Sequence, residues 1–208
     1  MLLYSDKARD KFGIDAVRQH LLQSLDLTNQ ALERSGANFR YRQVAIEEHR
    51  ADDSWANLDD ALFGIARDGS EDLFELRQKA DMVYYVGTEV GPGADVGLAF
   101  PTANEFNAIA VGYLGAGTGV MAHELGHVMG LSHSGEGKSY AQGNPQSVPG
   151  IADIMAPGVS RDTSRISYYA NPNRYTPDYG IPTGIEGKYD AVRAMNERAA
   201  TVAAFHQA

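Results

Sequence analysis

Residues 123–133 read HELGHVMGLSH, a stretch that holds three of the chain's six histidines. Positions four apart fall on one face of a helix, so a helix over 119–131 aims His123 and His127 at a common point. Two imidazoles from one helix face supply two corners of a tetrahedral zinc site. Gly130 lets the backbone leave the helix through a conformation that other residues resist, and that turn brings His133 back as a third imidazole. Three neutral protein ligands leave the fourth position open for water, which marks a catalytic rather than a structural zinc. Glu124, one residue beyond the first ligand, points beside the metal. From there it serves as general base and acid, taking the water's proton and delivering it to a leaving amine. In a chain of this composition the five fixed residues arise by chance with a probability on the order of 10⁻⁵. A helix that merely displays solvent-facing histidines therefore does not account for the segment.

The same residues resemble the extended zinc signature of the metzincins, H-E-x-x-H-x-x-G-x-x-H. That clan also carries a methionine-containing turn below the metal, and Asp153-Ile154-Met155-Ala156-Pro157 is similar to it. The resemblance gives Met155 the role of a hydrophobic base under the ligands. It also makes residues 94–100 an antiparallel edge strand whose free backbone groups pair with an extended peptide, with 108–114 as the competing candidate. The tail from 169 to 205 (YANPNRY, GIPTG, AVRAMNERAATVAAF), with Asn29-Gln30 and Ser35-Gly36, is similar to bacterial reprolysin-like peptidases, including the peptidyl-Asp metallopeptidase group. Two features depart from animal reprolysins: cysteines are absent, and Ser134 follows the third histidine. His133-Ser134 and Met155-Ala156-Pro157 are closer to matrixins, and Pro157 occupies the place where astacins and serralysins carry a tyrosine.

Several residues outside the motif invite a role. Tyr168 or Tyr169 could stabilise a carbonyl, but in a tyrosine-rich tail core packing is favoured. Arg161, Arg165 and Arg174 lie beyond the methionine turn, where the resemblance places the wall of a substrate pocket. There a guanidinium would pair with an acidic side chain, against the default of a solvated arginine. His20, His49 and His206 are read as surface residues.

The elements that must position this chemistry follow from periodicity. Residues 2–4 read as a short strand, and 14–35 as a helix with Val17, Leu21, Leu25 and Leu32 on one face and Gly36 as its stop. Residues 39–46 alternate like a half-buried strand. The stretch 58–79 reads as one or two short helices broken near Asp68-Gly69. Residues 82–86 form an apolar run suited to a central strand, with 96–100 and 108–114 as further strands. A closing amphipathic helix spans 189–206 through Val192, Met195, Ala199, Val202 and Phe205. The expected class is α+β: a twisted mixed sheet with helices, a zinc helix, and a small irregular C-terminal lobe ending in a helix. The expected organisation is one catalytic domain over 1–208, with lobes 1–130 and 131–208 about a cleft.

Composition narrows the classes. About 43% of the 208 residues are apolar, enough for a core, and the net charge of −9 disfavours nucleic acid as a partner. With no cysteine, disulfides, thiolate metal sites and cysteine catalysis are excluded. No Asp-rich loop has EF-hand spacing, which leaves a structural Ca2+ unsupported. No apolar run is long enough to span a membrane. The N-terminus MLLYSDKARDKFG lacks a basic region followed by an apolar stretch, so no signal peptide is expected in this chain. The sum is a monomeric endopeptidase with one catalytic Zn2+ acting on polypeptide, secreted or extracytoplasmic by resemblance.

Overall fold

The computed structural model describes residues 1–50, 55–68, 71–88, 96–133, 135, 140–145, 151–156, 164–165 and 167–206. In chain order they form β1 (Leu2–Tyr4), α1 (Asp6–Phe12), α2 (Ile14–Ser35), β2 (Ile46–Glu48), α3 (Leu58–Arg67) and α4 (Glu71–Arg77). Then come β3 (Val83–Gly87), β4 (Gly97–Ala99), β5 (Ile109–Tyr113), α5 (Val120–Val128), β6 (Ile151–Ala152), β7 (Ser164–Arg165) and α6 (Ala191–Val202). The residues gather into two compact units, one of Met1–Thr28, Tyr41–Val128 and Thr201–Ala208, the other of Asn29–Arg40 and Met129–Ala200.

The first unit is built on a five-stranded sheet in the order β2-β1-β3-β5-β4. Strands β2, β1, β3 and β5 run parallel, and β4 pairs antiparallel with β5 through Gly97–Gly112, Leu98–Val111 and Ala99–Ala110. The antiparallel edge is therefore β4, and β5 lies inside the sheet. The apolar runs of β3 and β5 are buried on both faces, as parallel strands between helical layers must be. On one face Leu2, Tyr4, Tyr84, Val86 and Ala110 pack with Val17 and Leu21 of α2 and Met121, Leu125 and Val128 of α5. On the other face Leu3, Val83, Tyr85, Ile109 and Val111 pack with Ala61, Leu62 and Ile65 of α3.

Helix α2 occupies the span its periodicity implies, and Gly36 ends it at φ +83°, a conformation glycine adopts without penalty. Two expectations are corrected. The strand expected at 39–46 lies instead at Ile46–Glu48, sharing only Ile46 with it, because that is where the chain meets β1 in register. Helix α1, which periodicity did not suggest, forms because the Ser5 hydroxyl caps the Ala8 N–H at 2.9 Å. In the second unit most ordering comes from turns. The pairs β6–β7 and Ser132–Gln142 are among its few ladder contacts.

Candidate metal centre

Helix α5 carries the first two histidines, and its seating explains how. Met121, Leu125 and Val128 bury one stripe against the sheet, leaving His123 and His127 half-buried on another face. The helix rests on small residues. Gly97 and Gly112 face each other across the β4–β5 ladder. A Cβ on Gly97 would stand 2.6 Å from Glu124 Oε1 and 2.5 Å from Val120 Cγ1. Only a glycine there lets the Glu124 carboxylate lie against the strand, where it is 5% exposed. The buried Tyr84 phenol lies close by, its hydroxyl 2.5 Å from where a Gly112 Cβ would be. Burial, and secondarily the Glu124 carboxylate, hold that phenol well above its ordinary pKa, so it stays protonated.

The C-terminal end of α5 is capped from the strand side. Thr102 N–H donates to His127 O at 2.9 Å and Ala103 N–H to Val128 O at 3.2 Å, which satisfies carbonyls the helix leaves unpaired. Thr102 adopts φ +51°, the one positive φ of a non-glycine among the described residues. Gly130, at φ +92°, then turns the chain out of the helix.

The structure brings the three sequence-predicted imidazoles together. His123, His127 and His133 each offer one ring nitrogen, and all lie within 4.8 Å of one another. The Nε2 atoms of His123 and His127 are 3.2 Å apart, with the rings edge to face. Among the described residues no other cluster of His, Cys, Asp or Glu has ligand atoms so placed.

Met155 and Tyr169 are both fully buried. Tyr169 is therefore a core residue and cannot touch a substrate. The carboxylate of Asp153, also fully buried, was not singled out by its sequence context. Its Oδ2 accepts the Asn144 N–H at 2.8 Å and its Oδ1 the Met155 N–H at 2.9 Å, and the Ala156 and Ala170 N–H groups also donate to it. Burial pushes it up to about 7, against the opposing pull of these four donors. The guanidinium of Arg174 lies over Gly36, where a Cβ would come within 2.7 Å of its Nε. His49 departs from the surface role expected of it. It is stacked on Trp55 and 3.1 Å from Asp68, with 15% of its side chain exposed. His20 and His206 are likewise half-buried. Ser134, Pro157, Arg161 and residues 94–95 lie outside the described residues, as does the side chain of Arg165.

No protein-family model matches the chain. It is 26% identical over 250 residues to the peptidyl-Asp metalloendopeptidase of Pseudomonas aeruginosa PAO1, an alignment covering 99% of this chain and 39% of that protein. It is 32% identical over 131 residues to the peptidyl-Asp metalloendopeptidase of Stenotrophomonas maltophilia K279a, covering 58% of this chain and 29% of the relative. The resemblance is to peptidyl-Asp metalloendopeptidases. The chain spans about two fifths or less of the length of these curated relatives. Among solved structures, a chain described under "Structure of a chaperone-substrate complex" superposes with a TM-score of 0.86 at 29% identity. That match covers 100% of this chain and 34% of the other. The peptidyl-Asp likeness drawn from the tail, Asn29-Gln30 and Ser35-Gly36 thus extends over nearly the whole chain.

Proposed function

We propose that this chain is the catalytic domain of a zinc metalloendopeptidase of the metzincin type, acting on extended polypeptide. The observation that carries the reading is the convergence of three imidazole nitrogens, with the buried Glu124 next in sequence to the first of them. The 3.2 Å between Nε2 of His123 and His127 suits a shared ion. Two nitrogens bound to zinc in a tetrahedron lie about 3.3 Å apart. A neutral three-imidazole donor set fits zinc, which when bound supplies Lewis acidity toward the scissile carbonyl and lowers the pKa of water to about 7.

The chain's own residues do the rest. His123, His127 and His133 hold the ion. Glu124, fixed over Gly97, accepts the proton of the attacking water and passes it to the departing amine. The outer edge of β4 offers backbone groups that an extended peptide can pair with. Met155 is assigned to the hydrophobic base of the site. The name of the relatives brings the expectation that bonds next to aspartate are preferred. Export from the cytoplasm is part of the same reading.

Digestion of a peptide library by the zinc-loaded and the chelated protein tests it. The loaded protein is expected to cut, with aspartate enriched beside the cleaved bond, and the chelated protein to regain activity when zinc is restored. Zinc-independent cutting would refute the metal reading, and cutting without aspartate enrichment would remove the specificity assigned here.

A further inference from the structure

We infer that Asp153 is a positioning residue for the third imidazole, its carboxylate fixing through backbone hydrogen bonds the turn that carries His133. The inference rests on His133 being a metal ligand. The path is short and lies entirely within one compact unit. Asp153 Oδ2 accepts the Asn144 N–H at 2.8 Å, and the Asp153 N–H returns a bond to Asn144 O at 3.3 Å. The residue before Asn144 is Gly143, whose N–H donates to Ser132 O at 3.1 Å. The Ser132 N–H in turn donates to Ala141 O at 2.9 Å, so the 141–143 strap grips Ser132 from both sides. The next residue is His133.

The strap has no slack toward the Asp153 side. A Cβ on Gly143 would stand 2.3 Å from the carbonyl carbon and oxygen of Met155 and 2.6 Å from the Ala156 nitrogen. The same carboxylate accepts the N–H groups of Met155 and Ala156, so one side chain holds both walls of this contact. The residue type matters. A carboxylate offers acceptors alone, and here four backbone donors converge on it. An asparagine of equal shape would turn its NH₂ toward some of those donors and leave buried groups unpaired. Burying a carboxyl group that an apolar turn would not need is costly, which suits a residue retained for geometry rather than for net stability.

The test uses cobalt(II) in place of zinc, because its visible absorption reports the number and kind of ligands. Wild type, Asp153→Asn, His133→Ala and the double variant are compared for cobalt affinity, by competition with a chelator, and for the absorption band. Asp153→Asn is expected to weaken cobalt binding by about 10- to 100-fold and to move the band toward that of His133→Ala. In the His133→Ala background it is expected to add less than about 2-fold, since the residue through which it acts is gone. An unchanged band, or an equal loss in both backgrounds, overturns the inference and leaves Asp153 a purely structural residue. Should Asp153→Asn not fold, Gly143→Ala disturbs the same strap from the other side. It is expected to give the same spectral shift, and an unshifted band in that folded variant overturns the inference too. If the wild type binds no cobalt, or His133→Ala binds it with an unaltered band, the three-imidazole reading itself fails and this inference falls with it.

Discussion

A methyl group on Gly97 would stand 2.6 Å from Glu124 Oε1, so Gly97→Ala must move the carboxylate, the helix or the strand. Displacing a catalytic group by about an ångström can cost on the order of 10²-fold in rate. Gly97→Ala is expected to lower kcat by about 10-fold or more while zinc content stays near that of the wild type, measured on one fluorogenic peptide. Loss of zinc rather than of rate would show that the glycine serves the helix as a whole. Asp153 gives a second prediction. Its folded pKa, about 7, lies above the ordinary 3.8, so the folded state holds the proton more tightly. The contribution is present in full below the ordinary value and is lost as pH rises through about 4 to 7, at about 1.4 kcal/mol per unit. Chemical denaturation of the metal-free protein should therefore show the wild type losing stability relative to Asp153→Asn across that window. Parallel curves would contradict the raised pKa. The grouping of the three histidines was legible in the sequence because a shared metal would fix both their residue type and their spacing. Asp153 and Gly97 were not, because one serves backbone groups of other segments and the other serves by leaving room.

Helix α5 depends on what caps its end. Thr102 carries φ +51° while its N–H caps the His127 carbonyl. A β-branched residue in this region is strained by roughly 1–2 kcal/mol. Thr102→Asn, which tolerates the left-handed region, is expected to raise stability by about 1 kcal/mol without altering metal affinity, read from urea unfolding and a zinc titration. Destabilisation would mean that the threonine methyl is needed for packing. The long or strongly patterned elements, α2, β3, β5 and α6, could be read from periodicity to within a few residues. Helix α1 escaped because Ala8 is its only buried residue, so no apolar stripe announces it. Strand β2 was placed too early because the alternation over 39–46 precedes the residues, 46–48, that β1 pairs with.

For the whole molecule, the proposed metal, held by residues from α5 and from the turn after it, would stabilise the folded chain by mass action. Zinc at 100 times its Kd adds about 2.7 kcal/mol to the free energy of unfolding. The thermal midpoint should rise with zinc in the wild type and stay fixed in His127→Ala. The antiparallel edge strand was expected at 94–100 from the resemblance, with 108–114 competing, since periodicity cannot tell an edge strand from its neighbour; the order of the sheet was not legible. The described residues between α5 and α6 were legible only as an absence of pattern, since buried polar groups such as Asn144, Asp153, Thr176 and Thr183 order them. The most direct measurement compares peptide-library hydrolysis by wild type and Glu124→Ala, each loaded with one equivalent of zinc. The expected result is that both bind zinc and only the wild type cuts, with the variant slower by roughly 10²-fold or more. A variant that cuts as fast as the wild type, or a wild type that binds no zinc, would contradict the assignment of this site.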